Sequence, residues 1–144
     1  MTQRALYLPP DLLQDPSIDE KAFWAHCAER RLMFQRCGCC GLHRHPPSPI
    51  CPACRSNDIA WSEAPSEGEV YSYTIVHHPS HPSMVPSLPY NVVIVAFAQL
   101  DSVRLISNVV DVAPEEMHVG MKVRLHWENP AEGVWLPRFR RGRS

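Results

Sequence analysis

The sequence predicts a mainly β protein built from an N-terminal helix, a zinc ribbon and a small five-stranded barrel. Three observations carry that reading. Four cysteines form two Cys-x-x-Cys pairs, Cys37/Cys40 and Cys51/Cys54, with ten residues between them. From Gly68 onward the chain turns into short, alternating, apolar-rich segments divided by turn signals. The 144 residues suffice for one modest core, or for a small barrel plus an appendage too small to fold without a metal. The expected division is residues 1–31 for an arm and helix, 32–65 for the ribbon, and 66–144 for the barrel with a basic C-terminal tail.

Residues 2–16 carry Leu6, Tyr7, Leu8, Leu12 and Leu13 around Pro9-Pro10, enough apolar surface to dock but no period of their own, so an arm lying on another surface is expected. Pro16 blocks an earlier helix start, and Ser17-Ile18-Asp19-Glu20 reads as a capping box opening a helix to about Arg31. Cys27, on that helix, reads as a small buried hydrophobe.

Residues 32–36 predict a short strand that leads into the first cysteine turn, with 42–45 pairing back and Ile59-Ala60-Trp61 returning to the same ribbon. Two facing Cys-x-x-Cys turns offer four thiolates in the tetrahedral arrangement that zinc accepts, one ion per chain. Gly41 fixes the register, because a Gly after the second cysteine supplies the positive φ the turn needs. Cys39 is then the spare. Arg55 holds the equivalent place after Cys54, so the second turn is expected to be looser. A redox dithiol needs only one pair, at a helix start in a βαβ unit, and that context is missing. Four thiolates leave no open position for water, so the metal reads as structural. His43 and His45 are expected at the surface, and Trp61 over one side of the metal.

In the barrel, residues 69–77 predict a long strand with Val70, Ser72, Thr74 and Val76 on one face and Tyr71, Tyr73 and Ile75 on the other. Residues 90–100 are the most apolar and are expected to be central. Asp101-Ser102 turns them into 103–110 as a hairpin. Residues 120–127 alternate again, and 135–139 supply a short last strand. Five strands at this spacing suit a small closed barrel, which removes exposed edges. Between the first two strands runs HHPSHPSMVPSLP, residues 77–89, far longer than a hairpin requires. Its prolines stiffen it, and Met84, Val85 and Leu88 place apolar side chains on it, a combination suited to touching a partner or lining an acyl tunnel.

Charge is nearly balanced, 14 Lys+Arg against 15 Asp+Glu, whereas a binder of phosphate backbones normally carries a basic excess. The N-terminus lacks an apolar stretch of signal-peptide length, and the longest apolar run, residues 92–98, is too short to span a bilayer. A cytoplasmic protein with reduced thiols is expected, with no membrane partner. No nucleophile and base pair, Gly-rich phosphate loop or paired carboxylates specify catalysis.

Several words of the sequence resemble a known family. They are Phe23-Trp24, Cys37-x-x-Cys40-Gly41, Pro47 before Cys51-Pro52-x-Cys54, Trp61, Gly68-x-Val70-Tyr71-Ser72-Tyr73-Thr74, Pro89-Tyr90, Val119-Gly120-Met121-Lys122-Val123 and Pro137-Arg138-Phe139. The chain from Phe23 to Phe139 resembles the bacterial and archaeal acyl-CoA-associated proteins that join a rubredoxin-like zinc ribbon to an OB-fold and work beside thiolase-like enzymes. Ser66 stands where the family usually has a Gly, and Arg55 is the second departure. The resemblance implies a non-catalytic accessory subunit that binds or channels acyl-CoA for a thiolase-like partner. In that setting Arg138, with Arg140, Arg141 and Arg143, is a candidate for the phosphates of coenzyme A, and Met84, Val85 and Leu88 for the partner or the acyl chain. The competing reading is an OB-fold that binds single-stranded nucleic acid, stacking bases on Tyr71, Tyr73 and Trp127.

Overall fold

The structure is a computed structural model that describes residues 13, 15–100 and 102–142. The predicted arm therefore lies mostly outside the described residues, as does Asp101 of the predicted turn. Helix α1 spans Lys21–Ala28 and is shorter than the sequence suggested at both ends. At its start only half of the capping box forms. The Glu20 carboxylate accepts from the Ser17 amide at 3.2 Å and the Ser17 hydroxyl at 2.8 Å, so that hydroxyl donates to Glu20 instead of capping a helix amide. At its end Arg30 adopts φ +56, which breaks the helix before Arg31. Phe23 and Cys27, four residues apart, are the side chains that α1 buries.

The ribbon is a three-stranded antiparallel sheet in the order β2-β1-β3, from β1 (Met33–Cys37), β2 (His43–Arg44) and β3 (Ile59–Glu63). Arg36 faces His43 on one side, and Gln35 faces Trp61 on the other. These pairings follow the predicted ones closely.

Five more strands, β4 (Glu67–Val76), β5 (Tyr90–Ala96), β6 (Arg104–Ser107), β7 (Lys122–Ala131) and β8 (Val134–Arg141), curl into one sheet in the order β6-β5-β4-β7-β8. This is an OB-type half-barrel. Strand β5 is an interior strand, as expected, paired with β4 and β6, while the middle of the order is β4, paired with β5 and β7. The last strand is also longer than predicted. It continues through Arg140 and Arg141, which are therefore strand residues paired with Arg124 and Val123 and not a free tail.

A bulge between Val70 and Ser72 changes the faces of β4. Strict alternation would put Val70 opposite Tyr73 and Ile75, but the extra residue, Tyr71, lets all three pack toward the core while Tyr71 points outward. Tyr73 then donates its hydroxyl to the Met117 carbonyl at 3.0 Å. Trp127 also packs on the core, so two of the three aromatics proposed for base stacking are half-buried against it.

The sheet ends meet through a short clip. Asn91, buried in β5, donates to the Val109 carbonyl at 2.8 Å and accepts from the Val109 amide at 2.7 Å. Asn108 donates to the Asn91 carbonyl. Val109 then bridges Phe139 of β8 in parallel, and Ser107 donates to the Pro137 carbonyl at 2.6 Å. Close packing of β4 on β5 requires Gly68, where a Cβ would lie 2.6 Å from a Val95 methyl.

A single apolar cluster joins these parts: Phe23 and Cys27 from α1, Leu32 and Phe34 beside and within β1, then Val95, Phe97 and Phe139 of the barrel. Phe34 meets Phe97 at 5.4 Å and Phe97 meets Phe139 at 6.1 Å between ring centroids. The ribbon is thus seated on the barrel by the same core that closes it.

Candidate functional site

The two cysteine turns repeat one backbone pattern. In the first, the Cys37 amide donates to the Leu42 carbonyl and the Gly41 amide to the Cys37 carbonyl; in the second, Cys51 donates to Ser56 and Arg55 to Cys51. Gly41 has φ +80, and Arg55 takes φ +65 at the matching position. The second turn is therefore the same turn, held by a residue that pays a steric cost for it, and not a looser one. Cys37, the last residue of β1, ties the first turn to the sheet.

The Sγ atoms of Cys37, Cys40, Cys51 and Cys54 all lie within 4.8 Å of one another. Cys37 and Cys54 are 3.5 Å apart, and Cys40 and Cys51 are 3.6 Å apart. Tetrahedral zinc with bonds of about 2.3 Å requires sulfurs about 3.8 Å apart, so the cluster has the right size. The Cys40 and Cys39 amides donate to the Cys37 sulfur and bring its thiol down to about 6, against the opposite push of burial. Cys54 accepts an amide from Ser56 that lowers it, yet the crowding of the Cys37, Cys40 and Cys51 sulfurs drives it up to about 12. Sulfurs this close resist ionising together, and a dication removes that conflict. Cys39 is exposed and outside the cluster, while Cys27 is fully buried, its thiol pushed up to about 12 by burial.

The other candidates are scattered. The Trp61 ring lies against His26 of α1 at 5.2 Å and packs on the core. His45 is not a surface residue, since it sits between Phe23 at 4.9 Å and Phe34 at 5.2 Å, and burial lowers its pKa. His43 is half-buried and is not part of the cluster. His77, His78 and His81 are exposed, and the His81 ring accepts from the Ser83 amide at 3.2 Å, capping a 3₁₀ turn over Pro82–Ser87. On that turn Met84 is buried, while Val85 is exposed and Leu88 half-buried. Arg138 lies under α1 with its guanidinium 3.5 Å from the buried Glu128 carboxylate. Burial pulls Arg138 down and pushes Glu128 up, the expected cost of taking both ions from water. Arg140 pairs with Asp111 at 3.5 Å and Arg141 with Glu116. Glu128 and Asn91 were missed from sequence, although Asn91 is a polar residue within an otherwise apolar strand; Tyr71 was named as a candidate, but not its outward turn at the bulge.

Fold and site together define a two-module protein, a zinc ribbon fused to an OB-fold. The chain matches the family models described as the ChsH2 rubredoxin-like zinc ribbon domain, over residues 24–60, and the ChsH2 C-terminal OB-fold domain, over residues 61–128. It is 31% identical over 114 residues to a DUF35 domain-containing scaffold protein of Methanocaldococcus jannaschii, covering 78% of this chain and 77% of that one. A probable enoyl-CoA hydratase alpha subunit of Thermomonospora curvata is 40% identical over 141 residues, 96% of this chain; the chain spans only 43% of that relative. A solved chain described as Ltp2-ChsH2(DUF35) aldolase superposes with a TM-score of 0.81 at 38% identity, over 90% of this chain and 98% of that one. The chain belongs to the DUF35 family of zinc-ribbon and OB-fold proteins. Its metal is zinc, and a closed four-thiolate site makes that zinc a structural element.

Proposed function

We propose that this chain is a non-catalytic accessory subunit that binds or channels acyl-CoA for a thiolase-like partner enzyme acting on carbon–carbon bonds. The observation that carries the reading is the 0.81 superposition on the Ltp2-ChsH2(DUF35) aldolase chain, 98% of which this chain covers. The names borne by other relatives, scaffold protein and hydratase alpha subunit, fit a chain that works within an assembly. The zinc centre supports the same role by building a rigid platform, because four thiolates hold the ribbon while leaving the metal no site for substrate.

Within this reading Val85 is the loop side chain most available to a partner, Leu88 supports it, and Met84 anchors the turn from inside. Arg138 is the candidate for an acyl-CoA contact, at the cost of sharing its guanidinium with Glu128. The test is to recover the tagged full chain from its source organism and identify what co-purifies, then titrate the complex with an acyl-CoA by calorimetry. A stoichiometric thiolase-fold protein and saturable acyl-CoA binding are expected. Recovery of the chain alone, or with nucleic acid, would overturn the reading.

A further inference from the structure

Where α1, β6 and β8 meet the residues that follow β2, the fold leaves a cavity of about 290 Å³. Much of its wall is apolar, with Phe23 and Trp24 from α1, Leu105 from β6, and Leu136 and Pro137 from β8. Arg138 and His45 also line it, and each holds a buried nitrogen without a hydrogen-bond partner among the described residues. The Arg138 side chain is 14% exposed. Its guanidinium reaches Glu128 only at 3.5 Å, its Nε is unpaired, and so is the second Glu128 oxygen. The pair is therefore not the two-bond fork that a well-fitted arginine and carboxylate form. His45 is fixed between the Phe23 and Phe34 rings, and its Nδ1 is the unpaired atom. Buried polar atoms normally find partners, so two orphan nitrogens in the wall of one cavity point to a ligand. The space far exceeds the ~10–15 Å³ that one water needs. It stands at the lower end of small-molecule sites, which run from ~300 to 1,000 Å³.

We propose that this cavity binds a small carboxylic acid with an aliphatic or aromatic body, its carboxylate taken by the Arg138 guanidinium and the His45 ring nitrogen. The planar guanidinium offers parallel donors to both carboxylate oxygens, and Nδ1 in its N–H tautomer donates to one of them. The body of the acid lies against Trp24, Leu105 and Leu136. Glu20, the one acid in the lining, accepts from the Ser17 amide and hydroxyl. A whole coenzyme A thioester is far too large for this space, and its acyl carbonyl lacks the charge that matches Arg138. The inference does not rest on the accessory role, because the acid is held within one chain and is tested without a partner.

The test is isothermal titration calorimetry on the zinc-loaded full chain, with hexanoate and phenylacetate as probes. Saturable binding of one acid per chain is expected. Hexanamide and phenylacetamide, which keep the body and lose the charge, should bind at least ~10-fold more weakly. Acetate, which keeps the charge and loses the body, should also fall at least ~10-fold below hexanoate. Arg138→Leu combined with Glu128→Gln leaves neither member of the pair charged and should weaken hexanoate binding at least ~10-fold. Zinc content and melting temperature report whether that variant folds, and the comparison of acid with amide stands on the wild type alone. No saturable binding of either acid, equal binding of acid and amide, or equal binding of acetate and hexanoate would overturn the proposal. So would a folded double variant that binds hexanoate like the wild type. If hexanoyl-CoA takes the same site more tightly than hexanoate, the cavity belongs to the thioester and the free-acid assignment is wrong.

Discussion

Replacing Asn91 with Ala should open the barrel where its two ends meet. The side chain makes two hydrogen bonds to one buried residue, with the Val109 carbonyl at 2.8 Å and the Val109 amide at 2.7 Å. Ala cannot replace either, and Val109 is 3% exposed, so water cannot easily take their place. An unpaired buried backbone group costs about 1–3 kcal/mol, so the loss is about 2–6 kcal/mol in all. For a chain of this size that corresponds to a fall in melting temperature of roughly 6–18 °C. Urea unfolding with zinc in excess measures it, and an unchanged m-value shows that the unfolded state is the same. Thr74→Ala, at an exposed position of β4, is the control and should change stability by less than about 0.5 kcal/mol. A loss below about 1 kcal/mol for Asn91→Ala would show that the clip does not hold the barrel closed.

Four further outcomes follow from the same geometry. Cys54→Ser should abolish zinc retention and lower solubility, whereas Cys39→Ser, outside the cluster, should retain one zinc per chain by metal analysis. Lowering the pH should release zinc, since protons compete with the metal for all four thiolates; the released ion can be followed with a colorimetric chelator, and retention at strong acid would argue against thiolate ligation. Gly68→Ala places a methyl 2.6 Å from Val95 and should cost about 1–3 kcal/mol in thermal melts. Arg138→Leu leaves Glu128 buried and uncompensated and should cost about 3 kcal/mol, part of which adding Glu128→Gln restores in a double-mutant cycle.

The metal centre was the most legible part of the chain, because its chemistry depends on residue type and spacing alone. Even Arg55 proved informative in hindsight: the turn, not the glycine, is what the spacing demands, and the backbone adopts φ +65 without it. The ribbon pairings could be read for a similar reason, since the cysteine turns fix their ends. Other features depend on tertiary contacts that no local pattern carries. The β4 bulge is one, because alternation assigns Tyr71 and Tyr73 to the same face and only pairing with β5 separates them. His45 is another. Nothing in its Pro-rich neighbourhood signals that Phe23 and Phe34 will enclose it. The length of β8 was underestimated because Arg140 and Arg141 look like a solvated tail until Asp111 and Glu116 are seen beside them. Asn91 was visible as a polar residue in an apolar strand, but its role required knowing that Val109 would return to it.

Reconstitution tests the central claim most directly. The zinc-loaded chain and its thiolase-fold partner are purified separately, and carbon–carbon bond formation or cleavage of an acyl-CoA is measured for each alone and for the equimolar mixture. The account predicts no turnover from this chain alone, a stoichiometric complex on size-exclusion chromatography, and turnover by the mixture well above that of the partner alone. Turnover by the isolated chain, or partner activity that is unchanged when the chain is added, would contradict it.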